Sequence, residues 1–185
     1  MDIKNIENKK VLLMRHAEAD FSFPNKWNTL GWGSDLAPLT SLGKKQSQDI
    51  IQKIKEWKPD LCLVSPTTRT METAMIIIRH LDIPCKVEFE LHEWVPDKSF
   101  SWSNISQVLL KLDELRSNNG EWPEGGEKCW ETLSHVKKRV SNVVLKYAKY
   151  DRILIICHGV VMWSIVNRED IHNCEIIEVP FQIFL

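Results

Sequence analysis

Four short hydrophobic runs, VLLM (residues 11–14), LCLV (61–64), VEFEL (87–91) and ILIIC (153–157), are separated by stretches whose apolar residues recur at helical spacing. Three of the runs contain no polar residue, which is how a strand reads when both faces of its sheet are covered. Between them, Ile50, Ile54 and Trp57 share one helical face, as do Met71, Ala74, Met75 and Ile78, then Ile105, Val108, Leu109 and Leu112, and finally Val136, Val140, Val143 and Val144. Strands alternating with helices imply an α/β fold with a mainly parallel sheet wrapped on both sides. The final segment, EIIEVPFQIFL, carries Pro180 and reads as one or two edge strands. A chain of 185 residues, 43% of them hydrophobic, can bury one sizeable core. A single domain over residues 1–185 is therefore expected, with loop-rich stretches at 21–38, 96–103 and 117–128.

The net charge of -1 is spread evenly, with no basic stripe and no acidic tail. That distribution argues against nucleic acid or an anionic membrane as the main partner and for a small or protein-borne ligand. The opening MDIKNIENKK has no apolar core of signal-peptide length, and the apolar-rich run over 153–166 is too short to span a membrane and is interrupted by His158. Five cysteines form no C-x-x-C pair, and their odd number fits a reducing compartment. A cytoplasmic protein is expected. Nothing in the pattern fixes an oligomeric state.

In open α/β sheets, ligands bind where strands end and hand over to helix N-termini. VLLM runs into Arg15-His16, LCLV into SPTTR with Arg69, and ILIIC into His158-Gly159. Ser65 followed by Pro66 reads as an N-cap and a first-turn proline, which puts Arg69 in the first turn of a helix. Gly159 lets backbone amides approach a ligand closely. Two arginines, two histidines and helix N-termini at one edge of a sheet describe an anion pocket, with phosphate the natural anion. A single Arg or His at a strand end is usually an ion pair or a satisfied hydrogen-bonder; recurrence on three strands is what singles these out.

The segments LLMRHAEA, PLTSLGKKQ, SPTTRTMETA, LHEW, EGGE and CHGVVM, in that order, resemble the histidine phosphatase superfamily, which includes the cofactor-dependent phosphoglycerate mutases. The resemblance spans residues 11–162 and implies a three-layer α/β/α sandwich. It also implies a phosphomonoester hydrolase in which His16 attacks phosphorus and becomes a transient phosphohistidine, while Arg15, Arg69 and His158 surround the phosphoryl group. Fixed cationic donors can stabilise the spreading negative charge, so no metal or other cofactor is implied. The substrate is then a small phosphorylated molecule. Glu93, in LHEW, stands where the family often places its general acid, beside Trp94, an apolar neighbour able to raise a carboxyl pKa. Glu18 and Asp20 compete for that role by proximity, with Glu18 the better candidate for a local structural partner.

Departures from the family pattern shape the expectation. Ala17 stands where many members have glycine, and Ser22 falls where an asparagine often touches phosphate; Ser22, Asn25 or Asn28 could supply that hydrogen bond. Glu93 is followed by WVPD rather than the Arg-His-Tyr-Gly of the mutases, so hydrolysis is preferred to mutase chemistry, although TLGWGSD faintly resembles a mutase loop. Thr40 reads as a helix cap, Gly43 and Gln46 as helix packing, and Gly126-Glu127 as a turn as readily as a family motif. Of the eight tryptophans, Trp57, Trp130 and Trp163 read as core. Trp27, Trp32, Trp94, Trp102 and Trp122 fall in loop segments, where some could line the pocket mouth and favour an apolar or flat leaving group.

Two readings from other classes compete. His16-Ala17-Glu18 fits the first half of a zinc deaminase signature, but Pro84-Cys85 is not followed by the required second cysteine. A phospho-ligand-binding module without turnover is the other, weakened by the presence of both arginines and both histidines.

Overall fold

The computed structural model describes residues 6–22, 26 and 31–185. The three wholly apolar runs lie side by side in the middle of the sheet. β1 (Lys10–Arg15), β2 (Leu61–Val64), β3 (Cys85–Val87), β4 (Arg152–Cys157) and β5 (Ile176–Pro180) are ordered β3-β2-β4-β1-β5. All neighbours are parallel except β5, which runs antiparallel along the free side of β1. Ile155 faces Leu13 on one side and Leu63 on the other, so rows of fully buried branched side chains cross the sheet.

The period-two alternation of those rows explains the layering. Val11, Leu13, Leu61, Leu63, Ile153 and Ile155 enter one core. There they meet α4 (Ile105–Ser117), α5 (Leu133–Lys146) and α6 (Gly159–Val166), together with the closing 3-10 turn Phe181–Phe184. Leu12, Met14, Cys62, Val64, Leu154 and Ile156 enter the other core, against Ile54 of α2 (Ile51–Trp57) and Ala74 and Ile77 of α3 (Thr68–Ile78). Each such burial stabilises by about 1.5–3 kcal/mol, which is why the interior positions of these strands carry no polar residue on either face. The result is the α/β/α sandwich expected from the sequence.

Four local expectations are corrected. VEFEL is not a strand: β3 stops at Val87, and Phe89–Leu91 turns as a 3-10 helix. This edge position leaves Val87 and Phe89 exposed, so their hydrophobicity does not come from a ladder buried on both faces. The helix over 46–57 is two helices, α1 (Ser41–Asp49) and α2, meeting at Ile50. Met75, Ile105 and Leu109 share the predicted faces yet are exposed. Finally, α3 is capped at Thr67, not at Ser65; the Ser65 hydroxyl is used elsewhere. Among the described residues no helix is long and apolar enough to cross a membrane, and the five cysteines are free thiols.

Candidate active site

Because β1, β4 and β2 are parallel neighbours, their carboxyl ends open on the same edge of the sheet. Sheet-like hydrogen bonds continue one residue beyond the strands: the His16 amide donates to Cys157 O at 2.9 Å, and the Ser65 amide to Ile156 O at 3.1 Å. His16, Ser65 and His158, the residue capping α6, are thereby brought together. The backbone under His16 is pinned further, with Asn173 Nδ2 donating to His16 O at 2.9 Å and the Ala17 amide donating to Thr73 Oγ1 at 3.2 Å. Thr73 lies one turn after Arg69 on α3, so α3 both supplies the arginine and steadies the loop that begins at His16.

The protonation pattern follows from which atoms can only donate or only accept. His16 Nδ1 lies 2.7 Å from Ala17 O, which can only accept, so this nitrogen carries the proton. Arg69 can only donate, and its Nε points at His16 Nε2 at 3.2 Å; that nitrogen therefore holds the free lone pair. Arg69 Nη2 lies 3.2 Å from His158 Nδ1, making it an acceptor too. The other nitrogen of neutral His158, Nε2, then carries its proton toward Ser65 Oγ at 2.7 Å. Arg69 completes the set with Nη1 on Asp35 Oδ1 at 3.1 Å. Burial foremost, then the Arg69 guanidinium, holds the pKa of both His16 and His158 well below the ordinary value, while burial pushes Asp35 up. Two neutral imidazoles whose rings lie 5.3 Å apart share one cation.

Glu93 is brought to this group. Its Oε2 is 4.0 Å from His158 Nδ1, its Oε1 accepts from the Trp94 amide at 2.8 Å, and burial against the pocket wall raises its pKa. Arg15 reaches Ile171 O with Nη1 at 2.5 Å, leaving its Nε buried and without a partner among the described residues. Gly159 lies beside Arg15: a Cβ there would stand 3.6 Å from Arg15 Nε, ordinary contact, so no close approach demands this glycine. Arg15, His16, Asp35, Arg69 and Glu93 line one cavity, with His158 wholly buried beneath Arg69.

Ser22 is not brought in. It is exposed, its hydroxyl donates to Asp20 Oδ1 at 2.5 Å, and the neighbouring Phe21 reaches the pocket wall in its place. Asn25 and Asn28 lie outside the described residues, as does Trp27. Asp20 bonds Ser22, and Glu18 accepts from the Thr40 hydroxyl at 2.7 Å, so neither stands where Glu93 does. Trp94 and Trp102 line the cavity, whereas Trp122 does not.

Sequence reasoning missed Ser65, Asp35, Glu131 and Arg139. The last two form a buried ion pair, Nε to Oε1 at 2.7 Å and Nη2 to Oε2 at 3.1 Å. The pair grips the segment that bears Glu93: Arg139 donates to Glu90 O and, at 3.4 Å, to Glu93 O, while Glu131 Oε2 accepts the Val95 amide at 3.3 Å and Glu131 O accepts the Trp94 indole at 2.5 Å. Their spacing of eight on and before an amphipathic helix is a weak signal at best. Gly126-Glu127 has no such role: Glu127 pairs with Lys98 at the surface, and Gly125 makes a turn at φ +88.

The family model for the histidine phosphatase superfamily (branch 1) matches residues 11–175. The chain belongs to this superfamily. A 2,3-bisphosphoglycerate-dependent phosphoglycerate mutase of Gloeobacter violaceus is 23% identical, covering 84% of this chain and 82% of the relative. The uncharacterized phosphatase PhoE of Bacillus subtilis is also 23% identical, over 85% of this chain and 76% of its own. Among solved structures, Bacillus stearothermophilus YhfR superposes with a TM-score of 0.69 at 17% identity, covering 91% of this chain and 89% of that one. A mycobacterial glucosyl-3-phosphoglycerate phosphatase gives 0.67 at 15%, covering 92% and 90%. These structural likenesses establish the phosphoglycerate-mutase-like fold, and the superfamily establishes phosphoryl-transfer chemistry as the class.

Proposed function

We propose that the protein is a phosphatase that hydrolyses a small phosphomonoester without a metal ion, through a phosphohistidine on His16. The observation that carries this reading is the state of the His16 ring: Nδ1 tied to Ala17 O, Nε2 unprotonated, the ring neutral and aimed. A neutral, oriented imidazole is what nucleophilic attack on phosphorus requires.

Substrate phosphate enters between Arg15 and Arg69. Phosphoryl oxygens replace the weak acceptors that now hold the Arg69 donors and satisfy the unpartnered Arg15 Nε. His16 Nε2 then forms a bond to phosphorus as the bond from phosphorus to the ester oxygen breaks. The raised pKa of Glu93 keeps its carboxyl available as an acid, and its proton passes to the departing alkoxide, giving the free alcohol. In the second half, the Glu93 carboxylate takes a proton from water as the water oxygen attacks phosphorus. The nitrogen–phosphorus bond breaks, inorganic phosphate leaves, and His16 returns neutral.

Hydrolysis is favoured over mutase transfer by the charge of the cavity. Arg15 and Arg69 are the only cations among the described residues lining it. Both are committed to the phosphoryl end, so no further cation is present there for the carboxylate of a phosphoglycerate. The test is hydrolysis of a generic aryl phosphate with EDTA present, comparing the wild type with His16→Ala. Turnover by the wild type alone supports the proposal, and equal turnover by both overturns it.

A further inference from the structure

The cavity continues beyond its charged floor, and there its chemistry changes. Every charged side chain among its described lining, Arg15, Asp35, Arg69 and Glu93, belongs to the group around His16. The rest of the wall is mainly apolar, with Phe21, Trp94, Phe100, Trp102, Ile105 and Val108 as its principal surfaces, and of its polar side chains Ser34 is tied to Gly31 O and Asn104 to the Gln107 amide, with Ser103 beside it. We infer that, taking the phosphatase reading above as given, this wall selects the leaving group: the substrate is a phosphomonoester of an aromatic alcohol, held with its ring against Trp102 and Phe100.

The wall is built in advance of any ligand. The Gly31 amide donates to Trp102 O at 2.9 Å, which staples the 96–103 loop to the 3-10 helix Gly31–Leu36. The approach is so close that a Cβ on Gly31, whose φ is +53, would stand 2.4 Å from Phe100 O. Phe100 itself adopts φ +54, a left-handed conformation that a bulky residue takes only where its surroundings impose it. Its ring lies 5.8 Å from that of Trp102, at 47°. Ligand clamps are among the places where such conformations cluster, and here the strained residue and its aromatic neighbour both line the cavity.

Volume and rim agree. The cavity, charged floor included, measures about 210 Å³, and an apolar cavity of about 150 Å³ admits benzene, so a phosphoryl group on the floor leaves room for one ring only if the ring extends toward the open rim. At its rim Phe21 and Ile105 remain 43% and 58% exposed, and the Phe21 ring lies 5.6 Å from the Arg69 guanidinium carbon, next to the phosphoryl end. Apolar side chains left in water around a concave site are covered when an apolar ligand binds. A sugar or a phosphoglycerate would instead present several hydroxyls or a carboxylate to this wall, where they would lose hydrogen bonds to water.

The experiment compares 2-naphthylmethyl phosphate with glycerol 1-phosphate and 3-phosphoglycerate. All three release alcohols of similar acidity, so kcat/KM ratios read the wall rather than the chemistry. Wild-type protein is expected to prefer the naphthylmethyl ester by about 30-fold or more, and Trp102→Ala to narrow that ratio by about tenfold, the scale of one substantial apolar contact. Equal or better hydrolysis of the polar esters overturns the inference and leaves the phosphatase reading intact. The non-hydrolysable phosphonates of the same alcohol groups, titrated by calorimetry, read the wall even if no ester turns over. Preferential binding of the aromatic phosphonate then upholds the wall's selection of an aromatic group independently of turnover, and binding without preference, or none, overturns it.

Discussion

Arg69 Nε stands 3.2 Å from His16 Nε2, so in the proposed mechanism the attacking nitrogen is covered by the same cation that is to hold the phosphate. The two tasks are sequential. While the pocket lacks an anion, the guanidinium rests on the lone pair and its charge helps keep the imidazole neutral. When an anion arrives, stronger charge-assisted hydrogen bonds draw the donors to phosphoryl oxygens and uncover the nucleophile. Replacing Arg69 with lysine removes the fork that can meet several acceptors at once. A fall in kcat/KM of roughly 10²–10³, on the scale of one preorganised transition-state donor, is expected in steady-state assays.

Glu93 should set the alkaline limb of the pH profile. Its raised pKa means that the proton needed by the leaving group is retained to higher pH than an ordinary carboxyl would allow, and is lost as pH rises through that value. Glu93→Gln should reduce turnover of alkyl phosphates by about 10²–10⁴ and abolish that limb. Aryl phosphates, whose leaving groups need little protonation, should suffer much less. Parallel kcat/KM profiles with the two ester types make the check, and equal losses would assign the acid elsewhere.

Acid should destabilise the fold through the same histidines. In the unfolded chain His16 and His158 protonate near 6.5, whereas burial and Arg69 keep both neutral in the folded state well below that. The unfolded state therefore binds more protons as pH falls below 6.5, and stability declines by up to about 1.4 kcal/mol per histidine per pH unit in that window. Glu93, whose pKa is raised, acts in the opposite sense and offsets part of the loss between 4.5 and its own folded value. Urea midpoints at about pH 7 and about pH 5.5 should differ less in His16→Gln than in the wild type.

The Glu131–Arg139 pair should act on catalysis through Glu93. Arg139→Met leaves the buried Glu131 carboxylate without its partner, which costs about 3–5 kcal/mol of stability. It also frees the carbonyl of Glu90 and leaves Glu93 O held by the His92 ring alone, at 2.7 Å. At a temperature where the variant is folded, kcat on alkyl esters should fall more than kcat on aryl esters. A purely structural role would lower both equally.

Gly43 is required by the loop that follows His16. A Cβ there would lie 2.1 Å from Glu18 O, whereas at Gly126 nothing lies within 4 Å. Gly43→Ala should lose about 1–3 kcal/mol, as overpacked sites do, and lower activity by displacing Glu18 and its bonds to Thr40 and Gln46. Gly126→Ala should remain within about 0.5 kcal/mol of the wild type. Thermal unfolding of the two variants provides the comparison.

The central strands were legible because burial on both faces leaves only apolar residues, and His16, Arg69 and His158 because the same type of residue recurs just past the ends of neighbouring strands. Edge structure was not. VEFEL has strand composition but packs as a short strand and a 3-10 turn, because nothing pairs with its outer side. Ser65 looked like a cap because Ser-Pro usually is one, and only the approach of β4 to β2 shows that its hydroxyl serves His158. Glu131 and Arg139 belong to no motif; their partners are carbonyls and amides far along the chain, which one-dimensional spacing does not encode. Ser22 was placed by its distance from His16, but a loop that caps itself on Asp20 turns its hydroxyl away.

The most direct measurement is to trap the covalent intermediate. Wild-type protein mixed with a turned-over phosphomonoester is quenched in alkali, where phosphohistidine survives, then digested and sequenced by mass spectrometry. A phosphoryl group on His16, attached at Nε2, is expected, and none in His16→Asn. A phosphoryl group on another residue, or steady turnover with His16 unmodified at every quench time, would contradict it.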